Sequence, residues 1–229
     1  MRRPRTSGLT LIEMMVVLAV ILIVAAAAGF GYASQRERQR LLGAAVDLHA
    51  LVHSARQTAL ATGRQIVVMV FPDTVVGTSV GRLLVWEQDQ DFDFFDDAAP
   101  TSFESFNPIS TPPYAGGEVL ATLELPAGIT FGPPTGYGGT APLPSPIPLE
   151  SDCTFCLGAD RRGAIAFDSA GTPTFHMGNG AGGVLNDDVF AFGVSLSLMS
   201  AEAREMKVLL VTAPTGGVQT LSFELPVAP

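Results

Sequence analysis

The chain is short of the residues that build catalytic and metal centres, and short of positive charge. Its 229 residues include only three histidines and two cysteines. The histidines are scattered at His49, His53 and His176, and no serine lies in a G-x-S-x-G sequence. A nucleophile elbow of the hydrolase kind therefore has no signature here, and the chain is not expected to be an enzyme. Lys and Arg total 13 against 22 Asp and Glu, a formal net charge of -9. Such a surface repels phosphate backbones unless basic residues cluster locally. Beyond the first few residues, Arg161-Arg162 is the one adjacent basic pair, and residues 211–229 hold neither Lys nor Arg. Nucleic acid is accordingly not expected as a partner. A purely helical architecture is also disfavoured, because 24 Gly and 17 Pro punctuate the chain.

Charge is missing altogether from residues 14–33. As a helix rising about 1.5 Å per residue, that run spans about 30 Å, the thickness of a bilayer's hydrocarbon core. Glu13 stands at its head. A carboxylate beside a membrane-length run costs a few kcal/mol or more to bury, which makes it a functional candidate. It also argues against an ordinary secretory signal, whose apolar core avoids charge. Two other readings are a signal-anchor helix with Glu13 at the interface, and a secreted enzyme whose signal is cut near residues 25–28. Arg2, Arg3 and Arg5 precede the run while Arg36, Arg38 and Arg40 follow it, so positive charge alone does not orient it.

Ser7-Gly8-Leu9-Thr10-Leu11-Ile12-Glu13-Met14-Met15-Val16-Val17-Leu18 resembles the processing site of type IV pilin precursors and type II secretion pseudopilins. That pattern is a short basic leader, a Gly, a large apolar residue that is usually Phe, three apolar or hydroxyl residues, Glu, and a membrane helix. The resemblance implies cleavage after Gly8 by a membrane-embedded prepilin peptidase and methylation of the new amine of Leu9. It also implies a role for Glu13 in joining a growing filament, by pairing with a neighbouring subunit's terminal amine. Leu9 replaces the usual Phe, a departure that bears on methylation more than on cleavage. The physics runs the same way: a carboxylate unmatched in lipid is unfavourable, and one facing a buried ammonium is far less so. Loss of the leader would remove Arg2, Arg3 and Arg5 and take the formal charge from -9 to -12. The implied partners are prepilin peptidase, other pilins or pseudopilins through the N-terminal helix, and inner-membrane lipid. The implied location is the bacterial inner membrane, single-pass, with a periplasmic C-terminal domain that joins a pseudopilus or pilus.

Beyond the apolar run the helical pattern continues. Leu41, Ala45, Leu48, Val52, Ala55 and Ala59 recur at spacings of three and four, a single apolar stripe. Gly63 is the expected stop. The organisation is then a leader at residues 1–8, a transmembrane and assembly helix at 9–33, an amphipathic continuation at 34–63, and an extracytoplasmic β-rich domain at 64–229. Within that domain the hydrophobic period becomes two. Strands are expected at residues 65–71, 82–86, 118–125, 128–131, 164–167, 173–176, 190–198, 207–212 and 218–223. The first two join through residues 77–81, and the hairpin at 164–176 turns at Asp168-Ser169-Ala170-Gly171. One long helix followed only by strands implies an α+β fold, the helix packed against antiparallel sheets. This order is similar to that of the H-type minor pseudopilins and the FimT/FimU-type minor pilins, the GspH/FimT family. Their late "I-x-F-x-x-x-G" hairpin matches Ile165, Phe167 and Gly171. Some FimT-type pilins resemble DNA receptors with a basic C-terminal cluster, which this chain lacks.

Several smaller patterns have a chemical and a plain reading. His49 and His53 stand at i and i+4, a spacing that can hold a metal, yet no third ligand lies at suitable spacing. Ordinary helix-surface histidines are expected. In residues 88–117, Asp89, Asp91 and Asp93 alternate like the start of an EF-hand loop. Phe94 occupies the place that needs Gly, and Pro100 the place that needs Glu, so a solvated loop anchored by aromatics is expected instead. Residues 132–152 form a second long loop, rich in Pro and Gly. Cys153-x-x-Cys156 can be a redox motif, half a zinc site or a tight disulfide. Only His176 lies near enough in sequence to help a zinc ion. In the oxidising periplasm that the resemblance implies, a local disulfide between Cys153 and Cys156 is expected. The glycine-rich run at 178–183 is not followed by a helix carrying Lys, so it reads as a turn and not as a phosphate cradle. No cofactor is expected.

Overall fold

Proline is absent from residues 5–71, and nothing in that stretch forces a helix to break. The computed structural model describes residues 11–89, 95, 103, 106–109, 117–132, 153–156, 161–178, 192–200 and 205–224, with the side chains of residues 27–34 outside that description. A single helix, α1 (Leu11–Thr62), runs for 52 residues, about 78 Å at the standard rise. It stops at Gly63, whose φ of 67° only glycine adopts cheaply. The Gly63 amide donates to the Ala59 carbonyl at 2.9 Å, closing the last turn.

Among the described residues nine strands follow, in two antiparallel sheets. The first sheet contains β1 (Ile66–Val76), β2 (Ser79–Gln88), β3 (Gly117–Glu124), β5 (Gly163–Phe167) and β6 (Pro173–Met177), in the order β3-β2-β1-β5-β6. The second contains β4 (Ile129–Phe131), β7 (Gly193–Ser200), β8 (Glu205–Thr212) and β9 (Gly217–Glu224), in the order β4-β7-β8-β9. The α+β class and all nine strand positions agree with the sequence pattern, with ends that move by a few residues. The largest shift is at the first hairpin. Only Gly77 and Thr78 form its turn, while Gly81 lies inside β2. Gly81 has φ 103°, and a Cβ there would sit 2.8 Å from the Phe131 ring. Glycine at that position lets the two sheets approach.

The helix stripe and the inner faces of both sheets share one core. Leu41, Ala45, Leu48, Val52, Ala55 and Ala59 meet Ile66, Val68 and Val70 of β1, Ile165 and Phe167 of β5, and Leu196 and Leu209 of the second sheet. Burying a Leu or Val side chain contributes about 1.5–3 kcal/mol each, so this stripe fixes the helix to the domain. The outer face of the first sheet is covered as well. Val67, Met69, Phe71, Leu84, Trp86, Ala164 and Ala166 form a second cluster beneath Phe103 and Phe106. Strand β1 therefore does not alternate: its first seven residues are all buried, as befits a central strand covered on both sides. The period-two expectation for residues 65–71 is corrected accordingly.

The hairpin β5–β6 is built around Asp168. Its Oδ1 accepts from the Ala170 amide at 2.9 Å and the Thr172 amide at 2.8 Å. Gly171 takes φ 73° and donates to the Asp168 carbonyl at 2.9 Å, so the glycine of the I-x-F-x-x-x-G pattern is the turn residue. Ile165 and Phe167 point into the shared core.

Candidate assembly helix and its surroundings

The N-terminal half of α1 leaves the domain with its apolar residues uncovered. Each large apolar side chain at residues 11–24 is at least half exposed, from 50% at Val17 to 79% at Leu11. Exposure on all sides of a helix this apolar needs an apolar surrounding, either lipid or other helices. Among the described residues no helical stretch is long and apolar enough to cross a membrane. The apolar part whose side chains are described, residues 11–26, reaches about 24 Å. The charge-free sequence itself continues to Ala33.

Glu13 lies exposed in the first turn of α1. A carboxylate there is favoured by the helix dipole, by about 0.3–1 kcal/mol. That is small beside the cost of several kcal/mol for an acid in hydrocarbon. The dipole alone therefore does not offset the cost of a carboxylate in an apolar environment. Gly8 and Leu9, the predicted cleavage and methylation positions, lie outside the described residues.

At the other end of the apolar run the helix enters a collar of charge. The Arg40 guanidinium donates to Glu37 Oε1 at 2.8 Å. Arg38 pairs with Glu205 of β8 at 3.4 Å, and Lys207 approaches the same carboxylate at 3.6 Å. Arg36 is exposed.

The remaining predicted positions sort as follows. His49 and His53 lie on the outer side of α1 with ring centroids 6.3 Å apart, and His49 Nδ1 is 3.1 Å from Thr220 Oγ1 of β9. No group of three or more His, Cys, Asp or Glu is placed to hold a metal among the described residues. Cys153 and Cys156 form a disulfide, with Cα atoms 5.2 Å apart, so neither thiolate is available to a metal. The bridged turn is buried and pins Phe155 into the core. A Cβ on Gly163 would sit 2.8 Å from the Phe155 carbonyl, which explains that glycine. Of the acidic alternation, Asp89 is described while Asp91 and Asp93 lie outside the described residues, as does the glycine run beyond Gly178.

Two residues in the domain have roles that the sequence reading missed. Arg161 and Arg162, adjacent in sequence, do not form one basic patch. Arg161 is turned outward at φ 42° and pairs with Asp73 at 3.3 Å. Arg162 is 7% exposed. Its guanidinium donates to the carbonyls of Phe103 at 2.9 Å and Phe106 at 2.8 Å, and it lies 5.5 Å from the centre of the Phe71 ring. Arg162 thus ties Phe103 and Phe106 to the outer face of the first sheet. Phe95 adds a ring stacked on His176, centroids 3.5 Å apart. The second residue is Arg56 of α1, whose Nε donates to the Gly171 carbonyl at 3.1 Å. A Cβ on Gly216 would fall 2.9 Å from the same nitrogen, so Arg56 gathers the β5–β6 and β8–β9 turns onto the end of the helix.

Comparison with known proteins adds one match. The family described as "Prokaryotic N-terminal methylation motif" covers residues 3–29, the segment that holds Gly8, Leu9 and Glu13. No curated protein and no solved structure matches the chain. The motif implies processing by prepilin peptidase and assembly with other pilins. An all-round apolar helix with an acid in its first turn, continuous with a domain of two antiparallel sheets, bears the methylation motif of a type IV prepilin-like protein.

Proposed function

We propose that this protein is a minor, H-like pseudopilin of a type II protein secretion system, a structural subunit at or near the tip of a periplasmic pseudopilus and not an enzyme. After cleavage behind Gly8 the helix stays in the inner membrane as a single span, with the two-sheet domain in the periplasm. Assembly transfers residues 9–33 from lipid to a bundle of neighbouring helices. Glu13 then faces a neighbour's terminal amine, a pairing that makes a carboxylate tolerable inside an apolar bundle. The observation that carries this reading is the exposed apolar half of α1 with Glu13 in its first turn, joined to the prepilin motif.

The test is deletion of the gene in its native host, with secretion of type II substrates and surface piliation scored side by side. Loss of secretion with intact pili supports the proposal. Loss of pili with intact secretion moves the protein to the FimT/FimU-type minor pilins that prime pilus assembly. If neither process changes, the subunit role is refuted.

A further inference from the structure

We propose that Arg36 and Arg38 form a binding collar for the phosphate groups of acidic phospholipids in the leaflet facing the globular domain. The inference rests on the membrane-helix reading above and adds a ligand to it. Because α1 is one unbroken helix, height along it can be read from residue number. Arg36 and Arg38 stand about 4.5 and 7.5 Å beyond Ala33, the last residue of the charge-free run. The headgroup zone of a bilayer is about 5–7.5 Å thick on each side of the hydrocarbon core, so both arginines stand at its level.

The charge there opposes that of the rest of the chain. Residues 34–46 hold Arg36, Arg38 and Arg40 against Glu37. From the second sheet Glu205 reaches Arg38, Glu224 of β9 stands in register opposite Glu205, and Lys207 lies 3.6 Å from the Glu205 carboxylate. Arg40 is committed to Glu37. Arg38 is 58% exposed and holds Glu205 at 3.4 Å, a surface pair of a kind that contributes little and exchanges readily. Arg36 has no acidic partner among the described residues. Removal of the leader at Gly8 would take away Arg2, Arg3 and Arg5, leaving these arginines as the basic residues adjoining the apolar run. The collar would then set the depth of the mature helix, and its lipid contacts would break as the subunit leaves the membrane for the filament.

The experiment uses the full mature chain reconstituted in phosphatidylcholine vesicles doped with spin-labelled phosphatidylglycerol or spin-labelled phosphatidylcholine. The readout is the fraction of each lipid immobilised at the protein surface. A basic residue near an anionic surface favours it by about fivefold, and the nearby acids reduce this, so a roughly three- to fivefold preference for phosphatidylglycerol is expected. It should fall towards one in Arg36→Gln/Arg38→Gln and in 0.5 M salt, and should persist in inorganic phosphate at matched ionic strength. Equal immobilisation of both lipids by the unaltered chain, or an unchanged preference in the double variant, overturns the proposal. Full competition by inorganic phosphate also overturns it, since the collar would then be a general anion site. If neither lipid is immobilised, the membrane-helix reading itself fails.

Discussion

Arg162→Met removes the guanidinium and keeps most of the stem, so it isolates what the charged group does. Two hydrogen bonds, to the Phe103 and Phe106 carbonyls at 2.9 and 2.8 Å, are lost. Hydrogen bonds to a charged group contribute about 1.5–3 kcal/mol each, and the contact with the Phe71 ring adds about 0.5–1 kcal/mol. Removing a buried cation returns part of this, because its desolvation is no longer incurred. The net loss is about 2–4 kcal/mol, a sizeable share of a typical stability of about 5–15 kcal/mol. For a domain of this size each kcal/mol lowers the melting temperature by about 2–4 °C, so a fall of about 4–16 °C is expected by circular dichroism. The damage should be local first, with faster proteolysis beside Phe103 and Phe106 than at the β5–β6 hairpin. Gly178→Ala should reproduce it, since a Cβ there collides with the Arg162 side chain. A melting temperature within about 1 °C of the unaltered protein, with an unchanged cleavage pattern, would refute the assignment of Arg162 as the tie.

Other substitutions test the N-terminal segment and the bridged turn. Gly8→Val should leave full-length precursor in the membrane fraction on immunoblots; normal processing of that variant contradicts the cleavage assignment. Glu13→Val should be processed normally yet recovered poorly in sheared filaments, since the acid proposed to pair with a neighbour's amine is gone. Recovery equal to the unaltered subunit would mean that Glu13 has no assembly role. Cys153→Ser/Cys156→Ser should cost about 2 kcal/mol, the loop-closure value for so short a ring, and lower the melting temperature by about 4–8 °C. No change in melting would show that the turn holds its shape without the bond.

Much of the architecture was legible because it follows from two periodicities. The i, i+3, i+4 stripe from Leu41 to Ala59 announced which helix face is covered, and Gly63 marked its end. The strands showed through their β-branched runs and turn residues, with Asp168 and Gly171 fixing the β5–β6 turn. What escaped is what no periodicity encodes. A run such as residues 66–71, apolar throughout, signals cover on both faces, and reading it as alternating hid the second cluster under Phe103 and Phe106. Arg162 looked like half of a basic pair because its partners are backbone carbonyls some sixty residues away, at Phe103 and Phe106. Arg56 escaped for the same reason, its acceptor being the Gly171 carbonyl. The N-terminal segment is the reverse case. Its motif is written in adjacent residues 3–29, so Gly8, Leu9 and Glu13 can be proposed as its working positions without any knowledge of the tertiary structure.

Cleavage behind the short basic leader with retention of the apolar helix is read out by mass spectrometry of the N-terminal peptide from native membranes. A peptide that begins at Leu9 with a methylated amine and retains Glu13 is the predicted result. One that begins among residues 25–28, from protein free in the periplasm, would contradict it.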